Sequence, residues 1–220
     1  MNAPISFDPS TPAAPVRSLV IAGWTGRDEA ALQKHIGELA ALGVAAPKTT
    51  PIFYRVSASL LTTAPSVEVI GRDSTGEVEF VLFNIDGEIR VGLGSDHTDR
   101  KAEAVGVTLS KQMCPKPIAR ETWAFADVEP HWDELILRSW VVSGGKRSLY
   151  QQGKVSAMRH PRELMALYGK FAPGTAMFCG TFGVEGGIRW ADTFSMELED
   201  PVLKRSIVHR YDITALPIEG

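Results

Sequence analysis

Residues 74–100 read STGEVEFVLFNIDGEIRVGLGSDHTDR. Two apolar runs, GEVEFVLF and EIRVGLG, flank the turn signal IDGE, which is the pattern of a β-hairpin. Strand side chains alternate with period two, so Glu77 and Glu79 share a face with Val81 and Phe83 while Val78, Phe80 and Leu82 take the other. Both faces are therefore partly apolar. Carboxylates about 6 to 7 Å apart on one face repel each other and lose hydration against an apolar surface. Either the pair sits at a strand edge where both acids reach water, or a positive group stands between them. Asp96 follows the second strand, and the hairpin can return it beside the glutamates. Three carboxylates without thiols or clustered histidines favour a hard cation, Mg²⁺ or Mn²⁺, over zinc or copper. The alternative for Asp96 is a cap on the following helix.

The chain has 220 residues, 44% hydrophobic and 22% charged, which is ordinary globular composition and enough to bury one large core. A net charge of -3 without a dense Lys/Arg patch argues against a nucleic-acid partner. Apolar runs are short and interrupted, and the start MNAPISFDPSTPAAPVR lacks the basic and apolar regions of a signal peptide. The expectation is a cytoplasmic protein with no membrane association. Cys114 and Cys179 are the only cysteines and read as buried thiols.

Residues 1–17, with four prolines, read as an extended or disordered arm, and 18–220 as one domain. SLVIAGW (18–24) predicts a buried strand and 25–43 a helix with the stripe Leu32, Ile36 and Leu39, Thr25 and Asp28 at its start and Gly43 as C-cap. PIFYRVS and SVEVIG read as strands, Asp99 to about Lys111 as a helix, and ELILRSWVV with SLYQQGKV as a second hairpin. PRELMALYGKF (161–171) reads as a helix with proline at its first position, followed by strands at TAMFCGT, TFSMELED and SIVHRYDI. Many strands with few helices give an α+β fold around a mixed sheet.

On the first helix, His35 and Glu38 stand three apart, at the border of the apolar stripe, where the carboxylate can orient the imidazole and raise its basicity. A structural histidine is the alternative. HIGE (35–38), PIFYRVSAS (51–59), EVE (77–79), DHTDR (96–100), SKQMCPKP (110–117), CGTFGVEGG (179–187) and DTFSMELED (192–200) run in one order along the chain. Together they resemble the fumarylacetoacetate hydrolase superfamily. The chain departs from that pattern at AGWTGRD, at Arg55 where the family has lysine, and in a shorter spacing from ExE to Asp.

The resemblance implies a roll or sandwich of mixed sheet, of the type of the superfamily's C-terminal domain, and a metal-dependent enzyme. Glu77, Glu79 and Asp96 would hold Mg²⁺ or Mn²⁺. His35, oriented by Glu38, would activate water against a 2,4-dioxo, acylpyruvate-like acid, with Lys111 stabilising the oxyanion or protonating the departing carbon. Arg55, Gly180 and Thr181 would bind the substrate carboxylate. Lys116 is an equal candidate for Lys111, and Asp99, Arg100 and His97 read as scaffold or as supports behind the ligands rather than as ligands. A 2-oxo acid decarboxylase, isomerase or hydratase, and a non-catalytic binder of carboxylate metabolites, are the competing readings. The superfamily's habit implies a homodimer.

Overall fold

The computed structural model describes residues 5–6, 16–30, 32–33, 37 and 47–219. Its strands are β1 (Ile5–Ser6), β2 (Ser18–Gly23), β3 (Ile52–Val56), β4 (Leu61–Thr62), β5 (Ser66–Ile70), β6 (Ser74–Thr75), β7 (Val78–Ile85), β8 (Glu88–Ser95), β9 (Thr98–Asp99), β10 (Lys116–Pro117), β11 (Glu121–Ala124), β12 (Ile136–Ser143), β13 (Lys146–Lys154), β14 (Thr175–Phe178), β15 (Thr193–Asp200) and β16 (Arg205–Leu216). A seven-stranded sheet has the order β1-β11-β8-β7-β14-β2-β3, and a five-stranded sheet the order β13-β12-β15-β16-β5. Each is mixed, with one parallel pair, β14 with β2 and β16 with β5. Two short pairs, β10 with β4 and β6 with β9, complete the α+β architecture. Among the described residues no helix is long and apolar enough to cross a membrane.

The hairpin at 78–95 lies at the centre of the larger sheet. Its register runs from Val78 opposite Ser95 to Ile85 opposite Glu88, and Asp86 and Gly87 close it with φ of 51° and 95°. Those positive angles are what a two-residue turn matching strand twist requires, and Asp-Gly supplies them at low strain. Alternation along β7 divides two cores. Val78, Phe80 and Leu82 pack with Leu137, Met196, Ile207 and Tyr211 of the five-stranded sheet. Val81 and Phe83 face the other way, onto Leu19, Ile21, Ile118 and Phe178. Glu79 falls on this second face.

Several expectations shift in detail. Helix Pro161–Tyr168 ends three residues early because Gly169 adopts φ 68° and its N–H closes on the Met165 carbonyl. The helix expected from Asp99 to Lys111 is two short helices, Arg100–Glu103 and Val107–Gln112, with Gly106 between them. The capping role offered to Asp96 belongs to Asp99, whose carboxylate accepts from the Ala102 N–H at 2.7 Å. Ile5 and Ser6, expected in an extended or disordered arm, add to the sheet edge opposite Thr122 and Glu121. On the first helix, Glu29, Ala30, Leu32, Gln33 and Gly37 are helical and Leu32 is buried, whereas His35, Glu38 and Gly43 lie outside the described residues.

Candidate metal centre

The hairpin register assembles the site. Glu79 stands on β7 opposite Gly94, Glu77 immediately precedes that strand, and Asp96 immediately follows β8, its N–H donating to the Glu77 carbonyl at 3.0 Å. One acceptor oxygen from each of Glu77, Glu79 and Asp96 lies within 4.8 Å of the others. Glu79 and Asp96 are buried and Glu77 is partly so.

Among the described residues three cations border the triad. The Lys111 ammonium hydrogen-bonds Asp96 and lies 3.8 Å from Glu77 Oε2. Arg100 meets Glu77 Oε1 at 3.0 Å and also holds Glu103 and the Thr75 hydroxyl. Lys116, wholly buried, stands 3.3 Å from Asp96 Oδ1 but spends its protons on the carbonyls of His97, Lys111 and Cys114 at 2.5, 2.6 and 3.2 Å. Asp96 Oδ1 therefore feels a positive charge yet has no hydrogen-bond partner among the described residues. Of the two candidate lysines, Lys111 faces the carboxylates and Lys116 braces the loop behind them.

Burial alone would raise the Asp96 pKa, but the adjacent ammonium groups of Lys111 and Lys116 outweigh it and hold the carboxyl below its ordinary value. Glu79 goes the other way. Desolvation first, then repulsion from Asp96 and Glu77, pushes it well above the usual range, opposed by the more distant Lys111 and by the Gly180 N–H at 2.6 Å. A divalent cation between the three acids would relieve both causes, and the orphaned Asp96 oxygen offers it a lone pair. The oxygen-only donors fit Mg²⁺ or Mn²⁺. Cys179, the thiol nearest Glu79, is held in its protonated form by burial and donates to the Met177 carbonyl.

Of the expected carboxylate-binding residues, Arg55 lies on another face, and Gly180 and Thr181 lie beside the acids with their donors engaged. Arg55 pairs with Val20 across β2 and β3, whose side chain belongs to the inter-sheet core, so Arg55 projects from the face opposite Glu79. It is exposed and bonded to the Ser18 hydroxyl. Its neighbour Tyr54, opposite Ile21, occupies the Glu79 face. Tyr54 is half-buried, its hydroxyl pKa raised chiefly by that burial against the pull of Lys111 and a hydrogen bond from Trp24. The Gly180 N–H is committed to Glu79. The Thr181 hydroxyl donates to the Val78 carbonyl at 2.7 Å and accepts from Gln151 Nε2 at 2.7 Å. Both therefore hold the start of β7 rather than present free donors. Gly180 has φ 102°, and a side chain there would collide with Thr25 Oγ1. The sequence reading lacks Tyr54, because alternation separates it from Arg55 without telling which of them shares the Glu79 face; Arg100, expected to support the ligands rather than be one, pairs with Glu77.

Residues 22–211 match the profile of DUF2848, described as a protein of unknown function. The chain belongs to the DUF2848 family. No curated protein matches the sequence. Among solved structures, this DUF2848 chain is similar to Cg1458 with inhibitor, at TM-score 0.66 and 15% identity over 92% of this chain and 79% of that one. A candidate fumarylacetoacetate isomerase/hydrolase from Oleispira antarctica gives TM-score 0.65 and 19% identity over 90% and 93%. A 2-keto-3-deoxy-D-arabinonate dehydratase complexed with magnesium and 2,5-dioxopentanoate gives 0.63 and 14% over 92% and 74%. The DUF2848 chain thus has the fold of the fumarylacetoacetate hydrolase superfamily.

Proposed function

We propose that this chain is a divalent-metal-dependent enzyme that hydrolyses a carbon-carbon bond in a small 2,4-dioxo acid of the acylpyruvate kind. The observation that carries the reading is the largely buried triad, three carboxylate oxygens within 4.8 Å of one another, with Asp96 Oδ1 paired in charge with Lys116 but without a hydrogen bond among the described residues. Glu77, Glu79 and Asp96 would hold Mg²⁺ or Mn²⁺, and that ion supplies Lewis-acid stabilisation of negative charge developing on the substrate. Lys111 is positively charged at neutral pH, because its carboxylate neighbours outweigh the burial that would lower its pKa. Its ammonium would stabilise oxyanion charge or protonate the carbon that departs. His35, oriented by Glu38, would take the proton from the attacking water. Tyr54, on the Glu79 face, would contact the bound substrate. A homodimer in the cytoplasm completes the proposal.

A second reading, a lyase acting on a 2-oxo sugar acid, draws support from the likeness to the magnesium-complexed dehydratase. Two measurements separate the cases. Mg²⁺ or Mn²⁺ should raise the melting temperature of the parent but not of Glu77→Gln, and an unchanged parent would refute the metal site. Acylpyruvate consumption, followed by loss of enol absorbance, should occur in the parent and fall at least about 100-fold in His35→Ala. Loss of water from a 2-keto-3-deoxy acid with no acylpyruvate consumption would select the lyase.

A further inference from the structure

Tyr211 lies on β16, in the five-stranded sheet, and is wholly buried. Its hydroxyl is 2.9 Å from Ser95 Oγ and 2.9 Å from His97 Nδ1, the residues on either side of Asp96. Ser95 Oγ also accepts the Glu77 backbone N–H at 3.2 Å, and His97 Nε2 meets Ser74 Oγ at 2.9 Å. All four polar side chains are inaccessible to solvent. The backbone is open enough for this approach only because residue 76 is glycine. A Cβ there would lie 2.8 Å from the Tyr211 hydroxyl and 2.6 Å from the Phe194 ring.

We propose that Tyr211 is the positioning residue of the metal centre: one hydroxyl grips both neighbours of Asp96 and, through Ser95, the backbone of Glu77. The proposal rests on the triad being a metal site and adds what aims it. With Ser95 and His97 drawn to the inter-sheet core, the Asp96 side chain between them is directed to the opposite side, where Glu79, Lys111 and Lys116 stand. Outer hydrogen bonds of this kind typically govern metal affinity by 10 to 100-fold. Tyr150 supplies a matched control, since it is equally buried against Phe194 and its hydroxyl has no hydrogen-bond partner among the described residues.

The test is Mn²⁺ affinity of the full chain, read by titration calorimetry or from the electron paramagnetic resonance signal of free Mn²⁺. Tyr211→Phe should weaken Mn²⁺ binding about 10 to 100-fold and Tyr150→Phe should leave it unchanged. Ser95→Ala, which removes the same link from its other end, should weaken it as well and serves if Tyr211→Phe fails to fold. A role confined to packing would lower the melting temperature of Tyr211→Phe while leaving Mn²⁺ affinity at the parent value, and that result overturns the inference. A parent chain that binds no Mn²⁺ would instead refute the metal reading and the inference with it.

Discussion

Replacing Lys111 by methionine tests how the buried acids are neutralised. The Lys111 side chain is 8% exposed and its ammonium serves both Asp96 and Glu77, so methionine keeps the stem but deletes a buried charge. Removing one partner of a buried ion pair costs about 3 to 5 kcal/mol, mostly because the other charge is left uncompensated. Here Asp96 keeps Lys116 at 3.3 Å and Glu77 keeps Arg100 at 3.0 Å, which argues for the lower end, about 3 kcal/mol. For a chain of this length each kcal/mol corresponds to roughly 2 to 4 °C, so Lys111→Met should melt about 6 to 12 °C below the parent in chelator. Mg²⁺ or Mn²⁺ then supplies the missing positive charge. A cation at 100 times its dissociation constant stabilises by about 2.7 kcal/mol, and the gain should be larger in the variant, where no ammonium neutralises the same carboxylates. Thermal melts with chelator and with each metal decide it. Equal melting without metal, or a smaller metal-induced rise in the variant than in the parent, would refute the reasoning.

Gly180→Ala should destabilise by more than about 2 kcal/mol, because a side chain at φ 102° meets Thr25 and turns the N–H away from Glu79; a parent-like urea midpoint would contradict this. Thr181→Val should cost about 1 to 3 kcal/mol by unlinking Val78 and Gln151 while leaving KM for the oxo acid within about twofold. A raised KM at unchanged stability would return Thr181 to carboxylate binding. His97 is held neutral, its pKa pushed from 6.5 down to about 3 by burial first and then by Lys116 and Arg100. The folded chain therefore refuses a proton that the unfolded chain accepts, so this contribution is full above about pH 6.5 and is lost as pH falls toward 3. Between pH 6.5 and 5 the loss is roughly 2 kcal/mol, and His97→Gln should flatten that slope in urea unfolding. An identical slope in the two proteins would show that His97 is not its source.

The central hairpin was legible because two local rules, alternation and the Asp-Gly turn, each specify it without help from the rest of the chain. The meeting of the three acids was legible for the same reason, since Glu79 lies on that hairpin, Glu77 and Asp96 adjoin its two ends, and its register brings them together. What the sequence could not supply is which distant strands flank it. β14 inserts between β7 and β2, more than 90 residues from the former, and β5 runs parallel to β16. The placement of Arg55 depends on them. Alternation separates Arg55 from Tyr54, but only the pairing with Val20 and Ile21 tells which of them shares the Glu79 face. Gly180 and Thr181 stand near the acids as expected, yet the partners that absorb their donors, Glu79 and Val78, become neighbours only when β14 docks. The same dependence makes the centre's electrostatics a property of the whole fold. Asp96 is kept ionised by lysines that follow it within 20 residues, whereas its aim is set by Tyr211, 115 positions later and in the other sheet. Local sequence thus fixes which acids meet, and long-range packing fixes their direction and their charge.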